Sequence, residues 1–140
     1  MTHDTTLAEK IREKLVVDEP DEDELVNALE GVTEIVDESW RIVVFDEIEE
    51  REPKDRVITY LLAKYAAARV SDGDSPIVAT REELNQHFDR GLVNDVCEHG
   101  WVRHWDGNVQ IRPLFYVHTA AELNARYVDT GTDQEGGRDD

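Results

Sequence analysis

The chain of 140 residues is long enough for one domain with a hydrophobic core and too short for two full ones. It carries 33 Asp and Glu against 15 Lys and Arg, a formal net charge of -18, and its single cysteine, Cys97, excludes an internal disulfide and cannot make a zinc site alone. No stretch approaches the roughly 18 uninterrupted apolar residues of a membrane span, and the opening MTHDTTLAEKIREKL lacks the layout of a signal peptide, so no membrane contact and a cytoplasmic location are expected.

The charge divides the chain into three parts. Residues 1–50 hold 17 acids and 4 bases, a net of -13, and residues 129–140 hold 5 acids and 1 base, a net of -4. Residues 51–128 hold 11 acids and 10 bases, a net of only -1. The expected organisation is an acidic N-terminal extension over 1–50, a domain over 51–128, and a disordered acidic tail over 129–140, which has no apolar anchor. A near-neutral middle has two readings: a packed domain with less free surface, or a region that kept its Arg residues to face phosphate.

In chain order, Leu7, Ile11 and Leu15 recur at four-residue spacing and predict a short amphipathic helix. A second is expected after Pro20, with Leu25, Val26 and Leu29 on one side, and DEPDEDE (18–24) reads as a solvated linker with helix-start carboxylates. Trp40 to Phe45 predict a buried strand with Trp40 in the core. That strand is expected to pair with a later hairpin or to pack on the core helix; alternatively, residues 7–45 serve dimerisation.

Pro53 opens the longest helix, in which Val57, Ile58, Leu61, Leu62, Tyr65 and Ala68 form an apolar stripe, and SDGDSP (71–76) ends it. A short strand over 77–79 precedes Thr80 and Glu83, whose spacing predicts a capping box for a helix over about 81–88. Asp89 is expected to cap the next helix, with Leu92, Val93, Val96 and Cys97 inward and Gly100 ending it as the C′ residue. Trp101–Trp105 and Val109–Arg112 predict a hairpin around Asp106-Gly107, with both tryptophans in its core. After Pro113, Thr119 and Glu122 predict a second capping box and a last helix through Val128.

This order over residues 51–128, and the phrase VNDVCEHGWVRHWDGNVQIR in particular, resembles a winged helix-turn-helix domain: an α+β fold with a three-helix core and a β-hairpin wing. The features that carry the resemblance are Val93 and Val96, the stop at Gly100, and Trp101-Val102. The acidic, Arg-over-Lys composition, eleven Arg to four Lys, resembles proteins of halophilic archaea, so a haloarchaeal or haloarchaeal-virus member is expected.

The resemblance implies a DNA-binding transcriptional regulator or accessory protein, with the helix after Asp89 in the major groove and the wing on phosphate. Carried over by position, Arg90 and Asn94 would meet the groove, Arg103, His104, Asn108 and Arg112 would lie on the wing, and Arg81 would lie near the backbone. The expected partner is double-stranded DNA, bound by a possible homodimer; the rival is a winged-helix adaptor that contacts protein. Two features depart from the pattern: Phe88 to Leu92 leaves little room for the usual turn, and Asp95 and Glu98 share the outer helix face.

Cys97 with His87, His99, His104 and His118 lacks the paired ligand spacing of a zinc site, so no metal and no cofactor are expected. With no glycine-rich phosphate loop and no nucleophile elbow, no enzymatic activity is expected either.

Overall fold

A computed structural model describes residues 19–128 and, ahead of them, Glu9. The expected helix through Leu7, Ile11 and Leu15 and the tail 129–140 therefore lie outside the described residues, apart from Glu9.

Helix α1 (Glu22–Leu29) starts where Asp21 accepts hydrogen bonds from the N–H groups of Asp23 and Glu24, and the acids of its first turn sit at the positive end of the helix dipole. Leu25, Ala28 and Leu29 are buried, but Val26, expected beside them, is 54% exposed because it falls on the outer flank. Strand β1 (Thr33–Ile35) pairs antiparallel with β2 (Ile42–Val44), Thr33 opposite Val44. The strand expected over 40–45 is thus shorter. Trp40 has φ +58 in the connecting turn and is half-buried, which corrects its placement in the core. This two-stranded sheet packs on the central helix and does not pair with the later hairpin.

A 3-10 turn, Asp46–Glu50, leads into helix α2 (Pro53–Val70). Pro53 sits where a missing N–H costs nothing. Residues 57 to 67 of α2 are buried all round except at its ends, with Ala68 only half-buried, because other elements pack against every side. Strand β3 (Ala79–Thr80) then leads directly into helix α3 (Arg81–His87), which opens on the expected capping box: Thr80 Oγ1 accepts from the Glu83 N–H, and Glu83 accepts from the Thr80 N–H.

Only Phe88 and Asp89 separate α3 from helix α4 (Arg90–Cys97). The crowding visible in the sequence is resolved by an extended Phe88 (φ -136) whose ring stands edge-on to Tyr60, and by Asp89 accepting from the N–H groups of Gly91 and Leu92. The end of α4 corrects another expectation. Glu98, not His99, is its cap, and Gly100 is not in the left-handed region; the chain leaves instead through three-residue turns, His99 N–H to Val96 O and Val102 N–H to His99 O.

Strands β4 (Val102–Trp105) and β5 (Asn108–Ile111) form the expected hairpin, with positive φ at both Asp106 (+48) and Gly107 (+81) as a type I′ turn requires. β3 pairs with the other edge of β5, giving the antiparallel order β3-β5-β4. After a 3-10 turn at Pro113–Phe115, helix α5 (Tyr116–Tyr127) begins three residues before Thr119. Thr119 and Glu122 therefore lie inside the helix and form no cap; Thr119 is fully buried and its Oγ1 has no partner among the described residues.

The protein is α+β. One core joins Val57, Ile58, Leu61 and Leu62 of α2 to Leu84, Val93, Val96, Val109, Ile111 and Leu123, and it extends without a break to Leu25, Leu29 and Ile42. Asn124 of α5 donates to the Glu24 carbonyl at 2.7 Å, a further tie between the N-terminal elements and the rest.

Candidate nucleic-acid interface

Helix α3, which carries Arg81, is fixed to α2 by Glu83. One of its oxygens completes the α3 cap; the other accepts the Tyr60 hydroxyl at 2.6 Å and pairs with Lys64 Nζ at 3.1 Å, both from α2. The Lys64 side chain is 9% exposed and that of Glu83 26%, so the pair is largely withdrawn from water. Burial, and then the hydrogen bond from Glu83, push the Tyr60 hydroxyl far above its ordinary pKa, so it stays a donor.

At the start of α3, Arg81 touches both neighbouring elements. Its backbone N–H donates to the Gly107 carbonyl at the hairpin turn (2.8 Å), and its Nη1 donates to Asn94 Oδ1 on α4 (2.7 Å). Arg90 lies one helical turn before Asn94 on the same side of α4, and both are exposed. Asn108, opposite Thr80 in the sheet, adjoins the same junction. Arg81, Arg90, Asn94, Asn108 and the hairpin turn are thus brought together. Asp95, one residue on from Asn94, is rotated about 100° around the helix from this flank and instead lines a cleft with Lys54, His99 and Arg126; Glu98 remains between the two sides. The Asn94 carbonyl is occupied by Arg81, so the bidentate adenine contact expected of Asn94 requires that bond to open.

On the hairpin, alternation separates the expected residues. Arg103, Trp105, Asn108 and Gln110 share one face, while His104 lies on the other with Val102 and Val109 and is exposed near the turn. Arg103 is held in place: its Nε and Nη2 donate to Gln110 Oε1 (3.2 and 2.9 Å), and its guanidinium lies 4.5 Å from the centre of the Trp105 ring. Gln110 is buried and donates onward to the Tyr116 hydroxyl (2.8 Å), whose ring stacks on Tyr65 at 4.0 Å. Trp105 is 38% exposed, which corrects its assignment to the hairpin core. Trp101 packs inward against His99 and His118. Arg112 is exposed at the base of the hairpin, about 13 Å along β5 from Asn108.

Sequence reasoning passed over Glu83 as an anchor and Gln110 as a bridge. The two-residue turn could have found Gln110, because it sets the register that places residue 110 opposite Arg103.

The other cations of residues 51–128 are mostly engaged. Lys64, Arg69 and Arg126 form ion pairs, Arg51 donates to Thr59 Oγ1, and Arg56 donates to the carbonyls of Arg51 and Glu49. Lys54 lies apart, in the cleft with Asp95. In that cleft His99 Nδ1 accepts the Trp101 N–H, and burial, with Lys54 and Arg126 acting in the same direction against Asp55, holds its pKa below the ordinary value. Cys97 is buried, and burial pushes its thiol up. Among the described residues, no group of three or more His, Cys, Asp or Glu could hold a metal ion, and no helix is long and apolar enough to cross a membrane. In comparisons with known proteins, the chain matches no family model, no curated protein and no solved structure.

Proposed function

We propose that this chain is a winged-helix protein that binds double-stranded DNA, a transcriptional regulator or DNA-bound accessory protein of a halophilic archaeon or its virus. In this reading α2, α3 and α4 are the three-helix core, β4-β5 is the wing, and α4 enters the major groove with Arg90 leading. The observation that carries it is a charge asymmetry. In a chain with more than twice as many acids as bases, none of the four cations on α3, on α4 or on the hairpin and its base (Arg81, Arg90, Arg103 and Arg112) has a carboxylate within 4.0 Å among the described residues, whereas three of the seven described cations elsewhere (Lys64, Arg69 and Arg126) do and Arg41, Arg51, Lys54 and Arg56 do not. Cations bonded only to neutral groups, as Arg81 is to Asn94 and Arg103 to Gln110, keep a charge that no carboxylate offsets, and Arg offers a fork that matches phosphate. The order helix, strand, two helices and hairpin, with β3 paired to β5, supports the same reading.

The test is retention of a mixed pool of duplex DNA in concentrated potassium chloride, with wild type beside Arg90→Ala, Arg103→Glu and Arg112→Glu. Wild type is expected to bind. Each wing variant should weaken binding across all sequences and lower the salt slope by about one, whereas Arg90→Ala should weaken it unevenly among sequences. Equal and negligible retention by all four proteins removes the DNA reading and leaves the adaptor.

A further inference from the structure

We propose that the open apolar groove between α1, β1 and the C-terminal end of α2 is the seat of the chain's own N-terminal segment, residues 7–15. The groove encloses about 590 Å³ and is floored by Leu25, Leu29, Ile35 and Ala66, with Val26 and Val70 on its walls 54% and 71% exposed. Apolar surface of this kind, rimmed by charge, is characteristic of a contact that is made rather than of bare solvent-facing surface.

Three observations select the occupant. The rim is acidic, with Glu22, Glu30 and Glu34 against Arg69 alone. Two grooves of two copies placed face to face would set these carboxylates against each other, whereas the segment LAEKIREKL brings Lys10, Arg12 and Lys14 against its own Glu9 and Glu13, a net of +1, and these are three of the four bases in the first fifty residues. Its Leu7, Ile11 and Leu15 fall on one side at helical spacing, matching an apolar floor between charged edges; Glu9, helical and exposed, lies on the opposite side.

The second is the tether. Arg69, itself in the groove wall, pairs with Glu19 (3.3 Å) and donates to the Pro20 carbonyl (3.0 Å), so the chain is fastened at the groove's edge. Only residues 16–18 separate Leu15 from Glu19, four steps of the chain and a reach of about 13 Å when extended. The third is length: nine helical residues span about 13 Å, against about 12 Å for the eight of α1, so the segment can lie antiparallel along it.

The experiment uses the full chain with Cys97→Ala, a nitroxide on Glu9→Cys, and methyl spectra of Val26 and Val70. The expected result is loss of both methyl signals at every protein concentration, recovery of both on adding Ile11→Glu, and no loss when spin-labelled chains are mixed with isotope-labelled chains that carry no nitroxide. Intact signals in the spin-labelled chain overturn the proposal. So does loss in the mixed sample, which would place a second copy's segment in the groove, and so does loss that survives Ile11→Glu.

Discussion

Replacing Glu83 by Ala removes three interactions at once, and their sum can be estimated from the surroundings of each. The Thr80 N–H is exposed and finds water, so its loss costs about 0.5 kcal/mol. The Tyr60 hydroxyl belongs to a residue 2% exposed and loses its acceptor, the one it has among the described residues, costing about 1 kcal/mol. The Lys64 ammonium is left without its carboxylate in a nearly buried position. A fully buried broken pair costs about 3–5 kcal/mol, but the Glu83 side chain is 26% exposed, and the discount for screening brings this to about 1–2 kcal/mol. The total is about 3 kcal/mol, or a fall in Tm of about 10 °C at this chain length. Glu83→Gln keeps one oxygen, which can complete the Thr80 cap, but sets its NH2 where the carboxylate accepted from Tyr60 and paired with Lys64, so it should cost less than Ala, about 2 kcal/mol; Tyr60→Phe should cost about 1 kcal/mol or less. Urea denaturation at fixed potassium chloride measures all three. A cost below about 1 kcal/mol for Glu83→Ala, or equal costs for Ala and Gln, would refute the account of Glu83 as the anchor of α3.

Three further outcomes are expected. Because His99 has a folded pKa below its ordinary value of 6.5, the unfolded chain takes up a proton first as pH falls. The stability His99 contributes is therefore present above 6.5 and lost below it; His99→Asn, which can keep the bond from the Trp101 N–H, should flatten the fall of Tm between pH 7.5 and 5.5. Trp101→Ala should cost about 2–3 kcal/mol in denaturation, and Trp105→Ala less than about 1 while weakening DNA retention, since only Trp101 is packed against the core. Gly107→Ala should cost about 1–2 kcal/mol because φ is +81 there and no neighbour lies within 4 Å to add a clash; Gly100→Ala, outside the left-handed region and equally open, should be nearly neutral.

The signals legible in the sequence were those whose physics is confined to a few adjacent residues. Thr80 with Glu83, Asp89 before α4, Pro53 at the start of α2 and Asp106-Gly107 at the hairpin each specify their own local geometry, and each is found where expected. The same kind of signal misleads when its context is tertiary. Thr119 and Glu122 have capping-box spacing, but that spacing is also one turn of any helix interior, and the packing of Tyr116 on Tyr65 starts α5 earlier. Gly100 offers a left-handed stop that the chain does not use, because it leaves α4 through three-residue turns. β1 was missed because three residues, Thr33–Ile35, are too few to show alternation. In the candidate interface, the residue types could be read but their coupling could not: the Arg81–Asn94 bond spans thirteen positions, and only the fold of α3 against α4 closes it.

The partners that arginine takes in this chain bear on how it could recognise DNA in concentrated salt. Arg51, Arg56, Arg81 and Arg103 donate to hydroxyl, carbonyl and amide oxygens, and Arg69 adds the Pro20 carbonyl to its ion pair. Such bonds depend on contact geometry, and added salt weakens them less than it weakens exposed ion pairs. Near 1 M salt the Debye length is about 3 Å, so steering by the field of the whole protein fails and phosphate attracts only what already touches it. On the proposed reading, affinity must then come from groups ordered before contact. Arg103 meets that requirement: with its guanidinium braced between Gln110 and the Trp105 ring, it has less rotamer freedom to lose on meeting a phosphate. A lysine at the same position would keep the charge but could make neither the fork to Gln110 nor the planar stack on Trp105, and in strong salt the charge alone is the weaker part of the interaction.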